Sequence, residues 1–489
     1  MEPIGRLCFS SANIFHSYCS RGGHLLFVFY DTETTGTNTA FDQILQFAAI
    51  LTDERFAEID RFNVRCRCLP WVVPAPMALK VTGIRPALLN DPALPSFYEM
   101  MTEIRRRLEA WGPAIFLGYN TLRFDEPLLQ RAFWQSLHPP YLTVTGGNAR
   151  MDILPIMQAA SHLFEGAFTY PVTPRGRTGF KLDQLAPLNE FAHANAHDAL
   201  GDVEATIHLA KLLEARCPVL WRRAVATAPK AAMASVLMPG RPVLVIEHFA
   251  SGPSVWWGQR VDTSGARTSS ATILRLDQDW KAARLFDSEK LEQVLSQSPK
   301  PLRELRLNKA PIVFDLNGAA AHGLIPEPFI MDQSAALSEA PEFCDRLLAL
   351  SEALADPWPE PVYLEQKIFE GFFSRSDAAL MEEFHKQDWR GRAELVRSFE
   401  DARLRQLAQR LVFAEAPDAL ASEDVSRLSN SIADRLHLDC EDKSLWRTLP
   451  AARRELNELR AAPGGQEIAS EIEAWLSALA QRFPIASDA

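Results

Sequence analysis

The sequence predicts a multi-domain α/β protein, with a mixed-sheet domain first, a small mainly β domain second and an α-helical domain last. Three observations predict it. Short apolar runs of strand type alternate with helical stretches up to about residue 215, and strand-like runs broken by Gly, Ser and Pro follow. After Pro357, Pro359 and Pro361 only helical periodicity remains. At 489 residues the chain also exceeds what one core serves, so about two to four domains are expected.

Residues 24–31, 44–52 and 59–67 read as strands, the last with the alternation of a half-buried one. A helix over 97–111 leads to a strand at 114–119 and a helix over 126–137 that begins just after Asp125. Val203, Ile207, Leu209, Ala210 and Leu213 have the spacing of a long helix over 199–215, with Asp198 placed to cap it. These elements define a first domain over 24–215, preceded by a frayed extension at 1–23. Strands at 243–249, 271–277 and 303–308 place a β domain over 216–355. In the third part, 356–489, one helix is expected over 393–414, with Val396, Phe399, Leu404, Leu407 and Leu411 near one face. Another covers 466–482.

Composition narrows the function. With 47% apolar residues and mixed charge the chain is of the globular class, and no apolar run approaches the roughly 20 residues needed to cross a bilayer. A net charge of −11 argues against a general polyanion-binding coat, so any nucleic-acid contact must be a local basic channel. The seven cysteines are odd in number and scattered, and Cys66-x-Cys68 has the wrong spacing for a zinc pair. Free thiols in a reducing cytoplasm are expected.

Asp31-Thr32-Glu33 ends the first strand, where alternation sends residues i and i+2 to the same face. Two carboxylates side by side repel unless a cation lies between them, and hard oxygen ligands suit magnesium or manganese. An isolated D-x-E is ordinarily just an acidic strand end. Here two further acid-bearing motifs follow. Gly118-Tyr119-Asn120-Thr121-Leu122-Arg123-Phe124-Asp125 delivers an acid at a strand-to-helix junction, where the default reading of Asp125 is an N-cap. His197-Asp198-Ala199-Leu200-Gly201-Asp202 places a histidine just outside a helix and an acid within its first turns. Together Asp31, Glu33, Asp125 and Asp202 provide carboxylates for two metals roughly 4 Å apart, with His197 as the base that takes a proton from water. His193 and His208 are read as structural.

This constellation, Asp-x-Glu, then Asp, then His-x4-Asp, resembles the DnaQ-like exonucleases. More specific segments resemble the bacterial exodeoxyribonuclease I family: Gly118-Tyr119-Asn120, Arg123-Phe124-Asp125-Glu126, Arg150-Met151-Asp152 and Asn195-Ala196-His197-Asp198-Ala199. The likeness runs on through Leu305-Arg306-Leu307-Asn308-Lys309-Ala310-Pro311 and Phe369-Glu370-Gly371-Phe372-Phe373-Ser374, covering nearly the whole chain from about residue 24. It implies a ribonuclease-H-like exonuclease domain, a β-barrel-like middle domain and a helical C-terminal domain around a channel for one strand. It also implies a monomer that degrades single-stranded DNA 3′ to 5′ in repair and recombination, releasing 5′-mononucleotides with two magnesium ions. Docking of the acidic tail of single-stranded DNA-binding protein follows from the same resemblance. Two departures stand out: members often carry an aromatic at the position of Thr32 or Thr35, and Arg at the position of Lys181.

Candidate substrate contacts are Glu33, Asn120 and Arg123 from the motifs, Thr82 and Gly83 in a turn resembling the family's loop beside the terminal nucleotide, and Lys181. Arg175 and Arg177 sit with Lys181 in an acid-free, Gly-containing stretch suited to gripping a backbone. Trp256 and Trp257 read as core rather than as base-stacking platforms. Two other readings share these residues: a 3′ exoribonuclease with the same site, and a catalytically silent scaffold.

Overall fold

A computed structural model describes residues 25–192, 198–249, 251–262, 269–357, 359–461 and 464–485, so the expected extension at 1–23, the expected base His197 and the histidine His193 lie outside the described residues. The first domain is built on a five-stranded mixed sheet of order β3-β2-β1-β4-β5, from β1 (Phe27–Thr34), β2 (Ile44–Thr52), β3 (Glu58–Arg65), β4 (Ile115–Leu117) and β5 (Ala149–Arg150). β2 and β3 run antiparallel to β1, whereas β4 is parallel to it and β5 parallel to β4.

β1 is central because its residues are apolar on both faces. Phe27 and Phe29 pack with Phe56 in one cluster, and Val28 and Tyr30 join Phe47 in another. The helix Phe97–Trp111 covers part of the second face and begins with a capping box between Ser96 and Glu99. Since β1 and β4 run the same way, their C-terminal ends open at one edge of the sheet, where loops can carry functional side chains.

The second sheet has order β10-β6-β7-β8-β9, antiparallel throughout, from β6 (Pro242–Phe249), β7 (Gly252–Arg260), β8 (Ser270–Arg275), β9 (Leu302–Arg306) and β10 (Ile312–Asp315). β6, β8 and β9 fall where strands are expected. β7 opens on Gly-Pro and carries both tryptophans, and β10 has four residues, so neither shows readable alternation. Trp256 is buried under the Arg275 guanidinium at 5.0 Å, and Trp257 packs against the core, as the sequence indicates. Helices Pro328–Ser338 and Pro341–Ala353 follow the sheet.

In the last segment the helix Gln466–Arg482 matches expectation, but the single helix over 393–414 does not form. The chain is instead helical over Trp389–Leu395, tightens to a 3-10 turn at Val396–Ser398 and restarts at Ala402–Glu415. Asp401 causes the restart: its side chain accepts from the Arg403 N–H as an N-cap, and an Asp there favours a helix start over a helix interior. These helices are not a separate body. Leu436, Leu449, Leu456 and Leu476 belong to the same core as Val28 and Phe47 of the first sheet.

Candidate active site

Asp31 and Glu33 leave β1 on one face, as strand geometry requires, and the helix Ala199–Arg216 brings Asp202 to them. One carboxylate oxygen from each of Asp31, Glu33 and Asp202 lies within 4.8 Å of the others. Asp125 adjoins this trio, its charge acting on both Asp31 and Glu33 while its Oδ1 accepts a 2.5 Å hydrogen bond from the Thr32 hydroxyl. It is also the first residue of the helix Asp125–Gln135 rather than its cap, which corrects the default reading. Asp198 is a second correction. It occupies the N-cap position of its helix but makes no capping bond. Its carboxylate instead accepts from Gln46 and Arg65 on the first sheet.

Burial and mutual repulsion raise the proton affinity of the cluster. Glu33 is pushed up to about 8, first by desolvation and then by the charges of Asp202, Asp125 and Asp198, while Arg65 opposes the shift. Asp31 and Asp125 are shifted upward too, each chiefly by burial. Such a site needs positive charge. Among the described residues the clustered donors are all carboxylate oxygens, which fits a hard divalent cation.

The loop feeding Asp125 is built to close tolerances. A Cβ on Gly118 would stand 2.5 Å from the carbonyl oxygen of Tyr30, so glycine lets the end of β4 lie against the residue before Asp31. Asn120 adopts a left-handed φ of 63°, and the buried Asp152 holds the turn by accepting from the N–H groups of Asn120 (2.8 Å) and Leu122 (3.0 Å). Behind Asp125, the buried Glu126 accepts from Tyr30 Oη at 2.7 Å and pairs with Arg150 at 2.6 Å. Arg150 also donates to the Asn308 carbonyl oxygen (3.3 Å), and the Lys309 ammonium donates to the Leu122 carbonyl oxygen. The Asn308-Lys309 segment thus grips the loop that carries Asp125.

Sequence reasoning missed the roles of Glu126, Arg150 and Asp152, although all three lie in segments that carry the resemblance. Their apolar neighbours and 24- to 26-residue separations were the available signal. Of the candidate substrate residues, Arg123 is exposed and lines a cleft with Arg175, Arg177, His248 and Phe249, between the first domain and the β6–β7 hairpin. Lys181 is exposed at the start of the helix Leu182–Leu188. Gly83 ends the helix Pro76–Thr82 at φ 68°, a conformation that favours glycine, with Thr82 half-buried beside it. His208 is structural, its Nε2 lying 2.7 Å from the Asn189 carbonyl oxygen.

Comparison with known proteins agrees with this geometry. Residues 28–210 match the family described as exonuclease, and residues 363–481 match the exonuclease I C-terminal domain. Exodeoxyribonuclease I of Escherichia coli K12 is 28% identical over 416 residues, 78% of this chain and 83% of the relative. The structure of E. coli exonuclease I with a dA16 oligonucleotide superposes with a TM-score of 0.79 at 25% identity, covering 94% of this chain and 98% of that one. The chain belongs to the exodeoxyribonuclease I family. A solved structure of SSB/exonuclease I in complex with an inhibitor superposes with a TM-score of 0.76 at 25% identity, covering 94% of this chain and 99% of that one. Among the described residues, no helix is long and apolar enough to cross a membrane.

Proposed function

We propose that this chain removes nucleotides from the 3′ end of single-stranded DNA by metal-dependent hydrolysis, releasing 5′-mononucleotides. The observation that carries the reading is the convergence of Asp31, Glu33 and Asp202 within 4.8 Å at the open end of β1, with Asp125 alongside. These four carboxylates would hold two magnesium ions, for which manganese could substitute. When bound, the metals polarise the phosphodiester and acidify water. The chain's own residues do the rest. Glu33 and the neighbouring acids fix the reacting end, and His197 takes the proton from the attacking water.

Arg123, Arg175, Arg177 and Lys181 bind the backbone of the strand, which enters along the cleft beside the β6–β7 hairpin. Phe249, partly exposed with Arg303 on its ring at 5.3 Å, offers a face for a base. Thr82, Gly83 and Asn120 border the terminal sugar. Backbone and stacking contacts of this kind are indifferent to sequence. The protein acts as a monomer in the cytoplasm and engages the acidic tail of single-stranded DNA-binding protein.

The test is digestion of end-labelled single-stranded DNA, duplex DNA and RNA, with magnesium and with chelator. Rapid metal-dependent shortening of the single-stranded DNA from its 3′ end is expected. Faster loss of RNA of equal sequence overturns the substrate assignment, and cleavage undiminished by chelator overturns the chemistry.

A further inference from the structure

Three strands present a row of side chains at one register. Glu33 on β1 lies opposite Gln46 on β2, and Gln46 lies opposite Arg65 on β3. Asp198 is laid across this row. Its Oδ1 accepts from Gln46 Nε2 at 2.9 Å and from Arg65 Nη2 at 2.9 Å. The Gln46 amide is fully committed: its nitrogen also donates to Asn63 Oδ1 at 3.0 Å, and its oxygen accepts from Arg65 Nη2 at 3.1 Å.

We propose that Gln46 and Arg65 are positioning residues that clamp Asp198 to the sheet and so hold the first turn of the Ala199–Arg216 helix, and with it Asp202, against Asp31 and Glu33. The inference rests on the metal-site reading above. An Asp at an N-cap ordinarily stabilises its helix by accepting from the first-turn N–H groups. Asp198 forgoes that bond and turns its carboxylate to the sheet, so the helix start is fixed by a tertiary contact instead. The link to Asp202 is short, because the Asp202 N–H donates to the Asp198 carbonyl oxygen at 3.1 Å and the two residues stand one turn apart on the same side of the helix.

Charge points the same way. Asp31, Glu33, Asp125 and Asp202 repel one another, and a helix bringing a further acid to this edge needs something to hold it down. The Arg65 guanidinium does so, facing both Asp198 and Glu33. An ordinary exposed ion pair would contribute little. This one differs in being joined through Gln46, which is 1% exposed and fixed on every polar atom.

The test uses the full chain carrying Arg65→Leu, Arg65→Lys, Asp198→Asn or Asp198→Leu, with Arg106→Leu as a control for loss of a remote exposed pair with Glu103. Manganese affinity is measured by titration calorimetry, and kcat and KM on end-labelled single-stranded DNA. Arg65→Leu and Asp198→Leu are each expected to weaken manganese binding and lower kcat roughly tenfold, with KM and Tm close to the control. The double Leu variant should lose no more than either single one, because both break the same clamp. Asp198→Asn keeps an acceptor oxygen and Arg65→Lys keeps a cation, so both should recover part of the loss. Unchanged manganese affinity in Arg65→Leu overturns the clamp, as does a loss of kcat fully accounted for by a fall in Tm. Because metal affinity is read without substrate, a protein that binds manganese but spares DNA would refute the proposed activity and leave the clamp to be judged on affinity alone.

Discussion

The Thr32 hydroxyl donates to Asp125 at 2.5 Å, and Thr32 stands in sequence between Asp31 and Glu33, whose proton affinities the Asp125 charge raises. A hydrogen bond to a charged group stabilises by about 1.5–3 kcal/mol, so Thr32→Val should release Asp125 and raise the magnesium concentration for half-maximal activity by about tenfold or more. Metal titrations of initial rate check this, and an unshifted midpoint would remove Thr32 from the site.

Replacing Asp31 by Asn should abolish cleavage and yet raise the Tm of the metal-free protein. The substitution deletes one of several mutually repelling buried charges while keeping shape. Calorimetry in chelator, beside binding of a fluorescent oligonucleotide, separates these effects. A fall in Tm would mean that repulsion is not what the site stores.

The pH dependence follows from Glu33, raised from 4.5 to about 8. A group whose folded pKa is raised binds more protons folded than unfolded, so its stabilising contribution is complete below about pH 4.5 and is lost as pH rises through about 8. The metal-free protein should therefore lose Tm across that window. With saturating magnesium the carboxylates are held charged and the loss should shrink, so the gap between the two melting curves should widen with pH. A constant gap would contradict the shift.

The ion pair of Arg150 and Glu126 is 4% and 0% exposed at its two side chains. Arg150→Ala leaves a buried carboxylate with its compensating charge removed, a change that costs about 3–5 kcal/mol in such settings. Urea unfolding of the metal-free protein measures it directly, and a cost under about 1 kcal/mol would show that water reaches the pair.

Arg175 and Arg177 on the cleft wall should contribute mainly counterion release. Replacing both by Ala should weaken oligonucleotide binding uniformly across sequences and reduce the slope of log affinity against log salt by about 1.4, at about 0.7 per phosphate on a single strand. Fluorescence anisotropy over a salt series gives the slope. An unchanged slope would place the strand elsewhere.

Much of this site was legible in the sequence, and the reason is local. Asp31 and Glu33 need only strand alternation to share a face, and Asp202 needs only a helix start nearby. What escaped notice depends on contacts between distant segments. Asp198 looks like a cap until Gln46 and Arg65, 152 and 133 residues away, claim its carboxylate. Asp125 looks like a cap until the helix is seen to begin on it. In the helical part, periodicity alone joined 393–414 into one helix because Val396, Phe399 and Leu404 are all buried, whereas the capping Asp401 interrupts the backbone without disturbing the apolar pattern.

The grip of Asn308-Lys309 on the first domain has a mechanical consequence. The Lys309 ammonium holds the Leu122 carbonyl, three residues ahead of Asp125, so any displacement of the segment after β9 is passed to the turn that positions Asp125. Excising the first domain alone would leave that carbonyl without its cation and Arg150 without the Asn308 oxygen. The turn that ends on Asp125 is therefore pinned in part by a lysine 187 residues away from it.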